Sequence, residues 1–269
     1  MKKLSIKAAV SNAFVTYKNN FLTLAPLGIF IGIMEWAYAY LPGLLSPILF
    51  PVSPTEQLIN PLEQQSLFTL GQKLTSGIYT SSDITIFATQ LGLSVILALI
   101  YGLTYFTFLK HLIKSHNISN LSIPSLFAWD SSIVRVLTSN TCYLLAFVPP
   151  LLFVNQSIHP TLKIMLLFIF SLIGLFLMLR ICLFSFFMLD KNIGFIEAVK
   201  QSWKATHSSF TKLVVAAFLS GAVMRFFTDF FMHIIGPNKA TFIILIAPTF
   251  FTIPFVALLF INVYHQLKH

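Results

Sequence analysis

RICLFSFFMLDKNIGFIEAVKQSWKATHSSFTKLVVAAFLSGAVMRFFTD, residues 180–229, is the stretch whose reading decides the fold. One apolar run ends at Asp190, an amphipathic segment follows, and a second apolar run starts at Phe210. Arg180 and Arg225 sit inside the two apolar runs, on either side of the amphipathic segment. Apolar runs long enough to cross a bilayer, joined by a segment suited to its surface, describe a chain threaded through lipid.

Composition agrees. The 269 residues are 57% hydrophobic and 9% charged. A soluble domain carries about 25% charged residues, so this chain cannot cover itself with a water-facing surface. The formal net charge is +9, but the positive residues are scattered through short loops. That distribution suits membrane topology and excludes a nucleic-acid groove, so no nucleic-acid partner is expected. Cys142 and Cys182 lie in apolar runs, with neither CxxC nor Cys/His spacing. They predict no disulfide framework, and no metal or other cofactor is expected. The start, MKKLSIKAAVSNAFVTYKNN, has no apolar core before Phe21 and no small-residue cleavage site, so no removable signal peptide is expected.

Working outward, six spans are predicted at about 21–41, 84–109, 141–154, 164–189, 210–235 and 240–263. A helix rises about 1.5 Å per residue, so about 20 apolar residues cross a ~30 Å hydrocarbon layer. Three interfacial helices are predicted at about 4–20, 124–139 and 193–208. In the first, Ile6, Val10, Phe14 and Tyr17 share one face while Lys7, Ser11 and Lys18 occupy the other. In the third, with Asn192 as the expected N-cap, Phe195, Ile196, Val199 and Trp203 form the apolar arc opposite Glu197, Lys200, Gln201 and Lys204. Phe14, Trp129, Trp203, Lys200 and Lys204 read as anchors to the interface and its anionic headgroups. Gly28 and Gly32 form a GxxxG pair that admits a close helix neighbour. Pro149-Pro150 breaks the third span, and residues 42–83 form the longest polar interval.

Lysine and arginine set the orientation. The intervals holding Lys2, Lys3, Lys7 and Lys18, then Lys110, Lys114 and Arg135, then Lys191, Lys200, Lys204 and Lys212, and finally Lys268, fall on one side. Only Lys73, Lys163 and Lys239 fall on the other. Both termini are therefore expected in the cytoplasm. The first and third amphipathic segments align without a gap at an offset of 189: Ile6 with Phe195, Ala9-Val10 with Ala198-Val199, Phe14 with Trp203, Phe21 with Phe210. The predicted fold is all-α, a single membrane domain over 1–269 of six helices with three interfacial helices. It is built as parallel repeats of interfacial helix, span, span. The middle copy, around Trp129, fits loosely.

The stretch MLDKNIGFIEAVKQSWKATHSSF, residues 188–210, together with Arg180, resembles a pattern of bacterial six-span membrane proteins. The residues that carry it are Arg180, Asp190, Gly194, Ala198, Ser202, Trp203 and Phe210. KAAVSNAFVTYKNNF, residues 7–21, is similar to the start of the same group. That group looks like the membrane domain attached to some glycerophosphoryl diester phosphodiesterases and its inner-membrane relatives. Phosphodiesterase activity belongs there to a separate soluble domain, so the resemblance implies topology and a bacterial cytoplasmic membrane without implying the chemistry.

Four ionisable side chains fall at hydrocarbon depth: Glu35, Arg180, Arg225 and Asp229. Counting from the cytoplasmic ends places Glu35 and Arg225 about 21–22 Å deep, Arg180 about 15 Å and Asp229 about 28 Å. Such groups are costly in lipid and are expected to turn inward and pair. Two versions stand open: a structural ion-pair cluster, or the lining of a small polar cavity for a lipid headgroup or an anion. No HExxH, GxSxG or GxxxxGK[ST] occurs in the chain, so no zinc-protease, α/β-hydrolase or nucleotide-driven chemistry is expected. Two functions survive. One is a non-enzymatic membrane protein that engages lipid, a protein partner or a second copy of itself. The other is a small secondary transporter or channel for an anionic solute.

Overall fold

The computed structural model describes residues 4–49, 81–114, 118–145, 160–235, 246 and 248–268. The described elements are helical throughout, with nine α-helices: α1 (Ile6–Asn19), α2 (Phe21–Leu49), α3 (Ser81–Lys114), α4 (Ser131–Leu145), α5 (Pro160–Ile181), α6 (Phe184–Lys191), α7 (Phe195–His207), α8 (Phe210–Ile235) and α9 (Thr249–Leu267). Four helical stretches are long and apolar enough to cross a membrane: Ile84–Lys114, Phe168–Lys191, Phe210–Phe231 and Thr249–Leu267. A fifth arises if α1 and the first part of α2 count together, though the two helices meet at a 99° bend. Most of the expected third span, and residues 240–245 of the expected sixth, lie outside the described residues.

The bend separates two environments. Ser5 caps α1 by accepting the amide of Ala8 at 3.3 Å. At the other end the Asn20 side-chain amide donates to the Thr16 carbonyl at 2.9 Å. Asn20 thus closes one helix by hydrogen bonding while Phe21 opens the next, at the 99° bend. At the second amphipathic segment, the structure corrects the expected N-cap. Asn192 stands in the left-handed region (φ 54°) and ends α6, and Gly194 precedes α7. Asparagine tolerates that conformation because its short polar side chain offsets the steric cost.

The inward faces of α1 and α7 are built mostly from small residues, with Tyr17 the one large exception. Ala9, Ala13 and Tyr17 are buried on α1, and Ala198, Ser202 and Thr206 on α7. These are the same positions at an offset of 189, as are buried Leu24 and Leu213 on the helices that follow. Phe14 and Trp203, also equivalent, are both exposed, as is Ile196. Small side chains let the helix axis approach its neighbour, while Ile6, Val10, Phe195 and Val199 pack against the core and Phe14, Ile196 and Trp203 face outward.

The middle segment corrects a sequence-based expectation. Where one interfacial helix was predicted over 124–139, there is a single 3-10 turn, Pro124–Phe127, followed by α4. Helix α4 then runs uninterrupted through the predicted boundary at 139–141. Asp130 is the cause. Its Oδ1 accepts the amides of Ser132 at 3.0 Å and Ile133 at 3.1 Å, and the Ser132 hydroxyl at 2.6 Å. A carboxylate receiving those first free amides starts a helix there.

The core sits at the end of the bundle that carries the amphipathic helices. Phe184 to Leu189 of α6 are all buried, among α3, α4 and α7. Tyr264 of α9 lies 4.9 Å from the Phe187 ring centroid, edge to face. Helix α2 packs chiefly on α3 and α9, and α1 on α9. The GxxxG pair is used within the chain: a Cβ at Gly28 would stand 2.6 Å from the Thr249 carbonyl oxygen and 2.8 Å from Pro254 Cδ, and one at Gly32 2.3 Å from Thr249 Oγ1. Gly28→Ala should therefore destabilise the protein by about 1–3 kcal/mol, since a backbone oxygen must move to admit the methyl group. Gly92, with nothing within 4 Å of its would-be Cβ, is the control. Gly92→Ala should be neutral or stabilising by up to ~1 kcal/mol. Thermal unfolding of both variants in the same detergent distinguishes them.

Candidate functional site

The four deep charges do not form one cluster, which corrects the expectation from the sequence. Arg225 and Asp229 do pair, Nε to Oδ2 at 2.8 Å across one turn of α8. Both side chains are largely exposed, at 80% and 52%, rather than turned into the bundle. Glu35 on α2 is half-buried and close enough to Tyr105 of α3 to act on its hydroxyl electrostatically. Among the described residues it makes no ion pair with either arginine. Helix α9 explains this. The chief neighbours of α2 are α3 and α9, while those of α8 are α9, α5, α1 and α7. Counting residues gives depth along a helix but not direction around it, and Glu35 and Arg225 sit on helices whose chief common neighbour is α9.

Arg180 has a different setting. The helix carrying it stops at Ile181, turns at Cys182-Leu183 and restarts at Phe184. The break denies the Arg180 carbonyl its helical donor. Two hydroxyls of α7 replace it, Ser202 Oγ at 3.1 Å and Thr206 Oγ1 at 2.9 Å. These contacts bring Arg180 level with the amphipathic helix, well short of the depth obtained by counting back from Asp190 along an unbroken span.

Its guanidinium lies among three rings. The Cζ atom is 5.3 Å from the Phe176 centroid, 5.2 Å from Trp203 and 5.0 Å from Phe210. Nε and Nη1 are buried without a hydrogen-bond partner. A cation over a ring gains ~0.5–2 kcal/mol, and an unsatisfied buried donor costs ~1–3 kcal/mol. The two effects are comparable: the rings hold the charge and leave its donors unused. Trp203, read from sequence as an interface anchor, is both part of this cage and 40% exposed.

The equivalent place around α1 uses the same device with other residues. Tyr17, which aligns with Thr206, donates its hydroxyl to the Phe250 carbonyl at 2.9 Å. That carbonyl is free because Pro254, four residues on in α9, has no amide proton. In both places a hydroxyl on an amphipathic helix satisfies a carbonyl exposed by a broken or proline-containing helix. Here the residue beneath is Phe250, 6.4 Å from Phe21 between ring centroids, and no cation lies over these rings among the described residues.

The remaining polar contacts tie the helix ends together. Asp190 accepts the Tyr264 hydroxyl at 2.6 Å and Lys268 Nζ at 3.3 Å. Arg135 Nη2 donates to Asn192 Oδ1 at 2.9 Å, Ser5 N donates to Gln266 Oε1 at 2.7 Å, and Lys212 donates to the Leu4 carbonyl. Trp129 Nε1 donates to the Leu126 carbonyl at 3.0 Å, and its ring is 40% exposed. Lys200 and Lys204 are exposed along a surface depression that starts at Gly194. Sequence reasoning missed Asp130 and Tyr264, and read no polar partner for Tyr17 or Asp190. The visible signals were Pro254, and Asp130 directly before Ser131-Ser132.

No group of three or more His, Cys, Asp or Glu side chains suited to a metal occurs among the described residues. Comparison with protein-family models, with curated proteins and with solved structures gives no match.

The Lys110 ammonium hydrogen-bonded to Asp130 holds that carboxyl well below the usual carboxylate range, helped by the Ser132 hydroxyl and the Ile133 amide. A depressed carboxylate stabilises the fold above its unfolded pKa of about 4 and ceases to do so as pH falls through the folded value. Asp130→Asn, which keeps a capping side chain but not the charge, should melt below the parent at pH 7, and the gap should close as the medium is acidified below pH ~4. Asp130→Ala loses the cap too and should cost about 1 kcal/mol more. Melting curves of the three proteins across pH check both statements.

Proposed function

We propose that this chain is a non-enzymatic multi-pass protein of a bacterial cytoplasmic membrane that engages membrane lipids, with its amphipathic segments in the cytoplasmic headgroup layer. On this reading the bundle has six spans, both termini face the cytoplasm, and the units around α1 and α7 are parallel repeats. Its kinship is with the six-span membrane domains that residues 180–210 resemble, and a protein partner or a second copy of the chain would dock on the same membrane-embedded body.

The observation that carries the reading is the division of faces on α1 and α7. The small residues Ala9, Ala13, Ala198 and Ser202 are buried at matching positions, while Phe14, Ile196 and Trp203 face outward. An aromatic and aliphatic face left outside a helix that also bears Lys200 and Lys204 suits the boundary between headgroups and acyl chains. The transporter alternative draws on the deep charges and on the breaks at Pro149-Pro150, Pro248 and Pro254, and among the described residues Glu35 makes no ion pair with the arginines.

Depth-dependent quenching tests it. In proteoliposomes, a variant keeping only Trp203 and one keeping only Trp129 should both be quenched more by lipids brominated near the headgroup than by lipids brominated near the chain end. Cysteines placed at Asn12 and at Lys204 should react with an impermeant reagent from the cytoplasmic side alone. Stronger quenching by deeply brominated lipid, or labelling from opposite sides, would remove the reading.

A further inference from the structure

We infer that Arg180 holds the phosphate of an anionic phospholipid, whose acyl chain lies along α5. The inference rests on the lipid-engaging role proposed above and gives it a place and a chemical class.

Three independent observations meet at this residue. The first is an unpaired cation: Arg180 makes no ion pair among the described residues, and Nε and Nη1 have no partner. Arginine is suited to such a ligand because its planar fork matches a phosphate, and contact with an anion would supply what the three rings do not. The residue as a whole is only partly buried, while Nε and Nη1 are enclosed by the rings, so a phosphate reaches them by turning the exposed Trp203 ring aside. Trp203 closes that side as an exposed ring, with Lys200 and His207 one turn away on either side of it along α7.

The second is the surface below. Phe168, Leu172, Phe176 and Arg180 follow one another at four-residue spacing, and the three apolar members are exposed. On a helix that spacing makes one continuous stripe. It is apolar for most of its length and headed by a cation, the profile of a lipid with a charged head and a hydrocarbon tail. Phe218 of α8, at 72% the most exposed of that helix's large apolar residues, adds to the same kind of surface.

The third is the internal comparison. Where Tyr17 repeats the work of Thr206, the carbonyl it satisfies belongs to Phe250. Among the described residues, that junction of an amphipathic helix with an interrupted helix is made without a cation. The rings around Arg180 leave its donors unused, and a ligand at this junction accounts for an arginine there.

The test uses the full chain, delipidated in detergent and then mixed with equal amounts of dioleoylphosphatidylglycerol and dioleoylphosphatidylcholine, and reads bound lipid by native mass spectrometry. The parent should retain the anionic lipid about tenfold over the zwitterionic one. Arg180→Phe, which places at 180 the residue type found at 250, should fold, melt within a few degrees of the parent and lose the preference. Arg180→Gln serves the same end should the phenylalanine variant not fold, and Arg180→Lys should fall between. A parallel arm adds inorganic phosphate instead of lipid and reads the melting temperature.

A preference for the anionic lipid that survives in both neutral variants places the lipid elsewhere and overturns the inference, while leaving the broader reading intact. A parent that retains neither lipid overturns both. Stabilisation by phosphate, abolished in Arg180→Gln, with no lipid preference, makes the ligand a soluble anion and rejects the lipid. A loss of stability in both neutral variants with no change in lipid preference assigns the arginine to holding α5 on α7, and rejects it too.

Discussion

A backbone carbonyl that has lost its helical donor cannot be left bare in an environment without water. Two such carbonyls, those of Arg180 and Phe250, govern how the described part of this protein is put together. One is released by a break in the helix and the other by a proline four residues on. Each is received by a hydroxyl on an amphipathic helix: Ser202 and Thr206 in one case, Tyr17 in the other. The amphipathic helices are thus structural parts of the bundle as well as elements of its rim. Their buried faces are small because the hydroxyls must reach a main chain.

Helix α9 is the second organising element. It carries Pro254, takes the glycine face of α2 and packs against α1. The short approach at Gly28 and Gly32 is possible only because those residues have no side chain, and an interface of small residues is how helices gain contact where burial from water drives nothing. Helices α2 and α8 both pack on α9 and are not among each other's chief neighbours, and Glu35 makes no ion pair with Arg225 among the described residues. Each deep charge accordingly settles locally: Arg225 with Asp229 one turn away, Arg180 among aromatic rings, Glu35 near Tyr105.

Much of this was legible in the sequence. The limits of α1 and α7 follow from apolar spacing, and the offset of 189 lined up positions that share their burial. The i, i+4 pairing of Arg225 with Asp229 was read directly. What failed did so for physical reasons. Depth can be counted along a helix, but azimuth depends on which neighbours it finds, so the Glu35 cluster was drawn from half the necessary information. Large apolar residues marked the amphipathic faces, and Phe195 and Val199 do pack on the core, but the residues buried outright are Ala198, Ser202 and Thr206, which carry little hydrophobic signal. Pro124 drew the start of the middle helix too early, because the aspartate cap at 130 is a hydrogen-bonding signal that hydropathy does not register. The break at Cys182-Leu183 left no mark at all in an unbroken apolar run, and it is the feature that moves Arg180 from the expected depth to the level of α7.

The closeness of the two ends has a bearing on biogenesis. Ser5 meets Gln266, Leu4 meets Lys212, and the glycine face of α2 is filled by Thr249 and Pro254. Translation delivers the first two helices about 200 residues before α9, on which both pack, emerges. Through that interval α2 must wait in the bilayer with its glycine groove unoccupied, a vacancy for an insertase or a lipid to shield until the last helix displaces it.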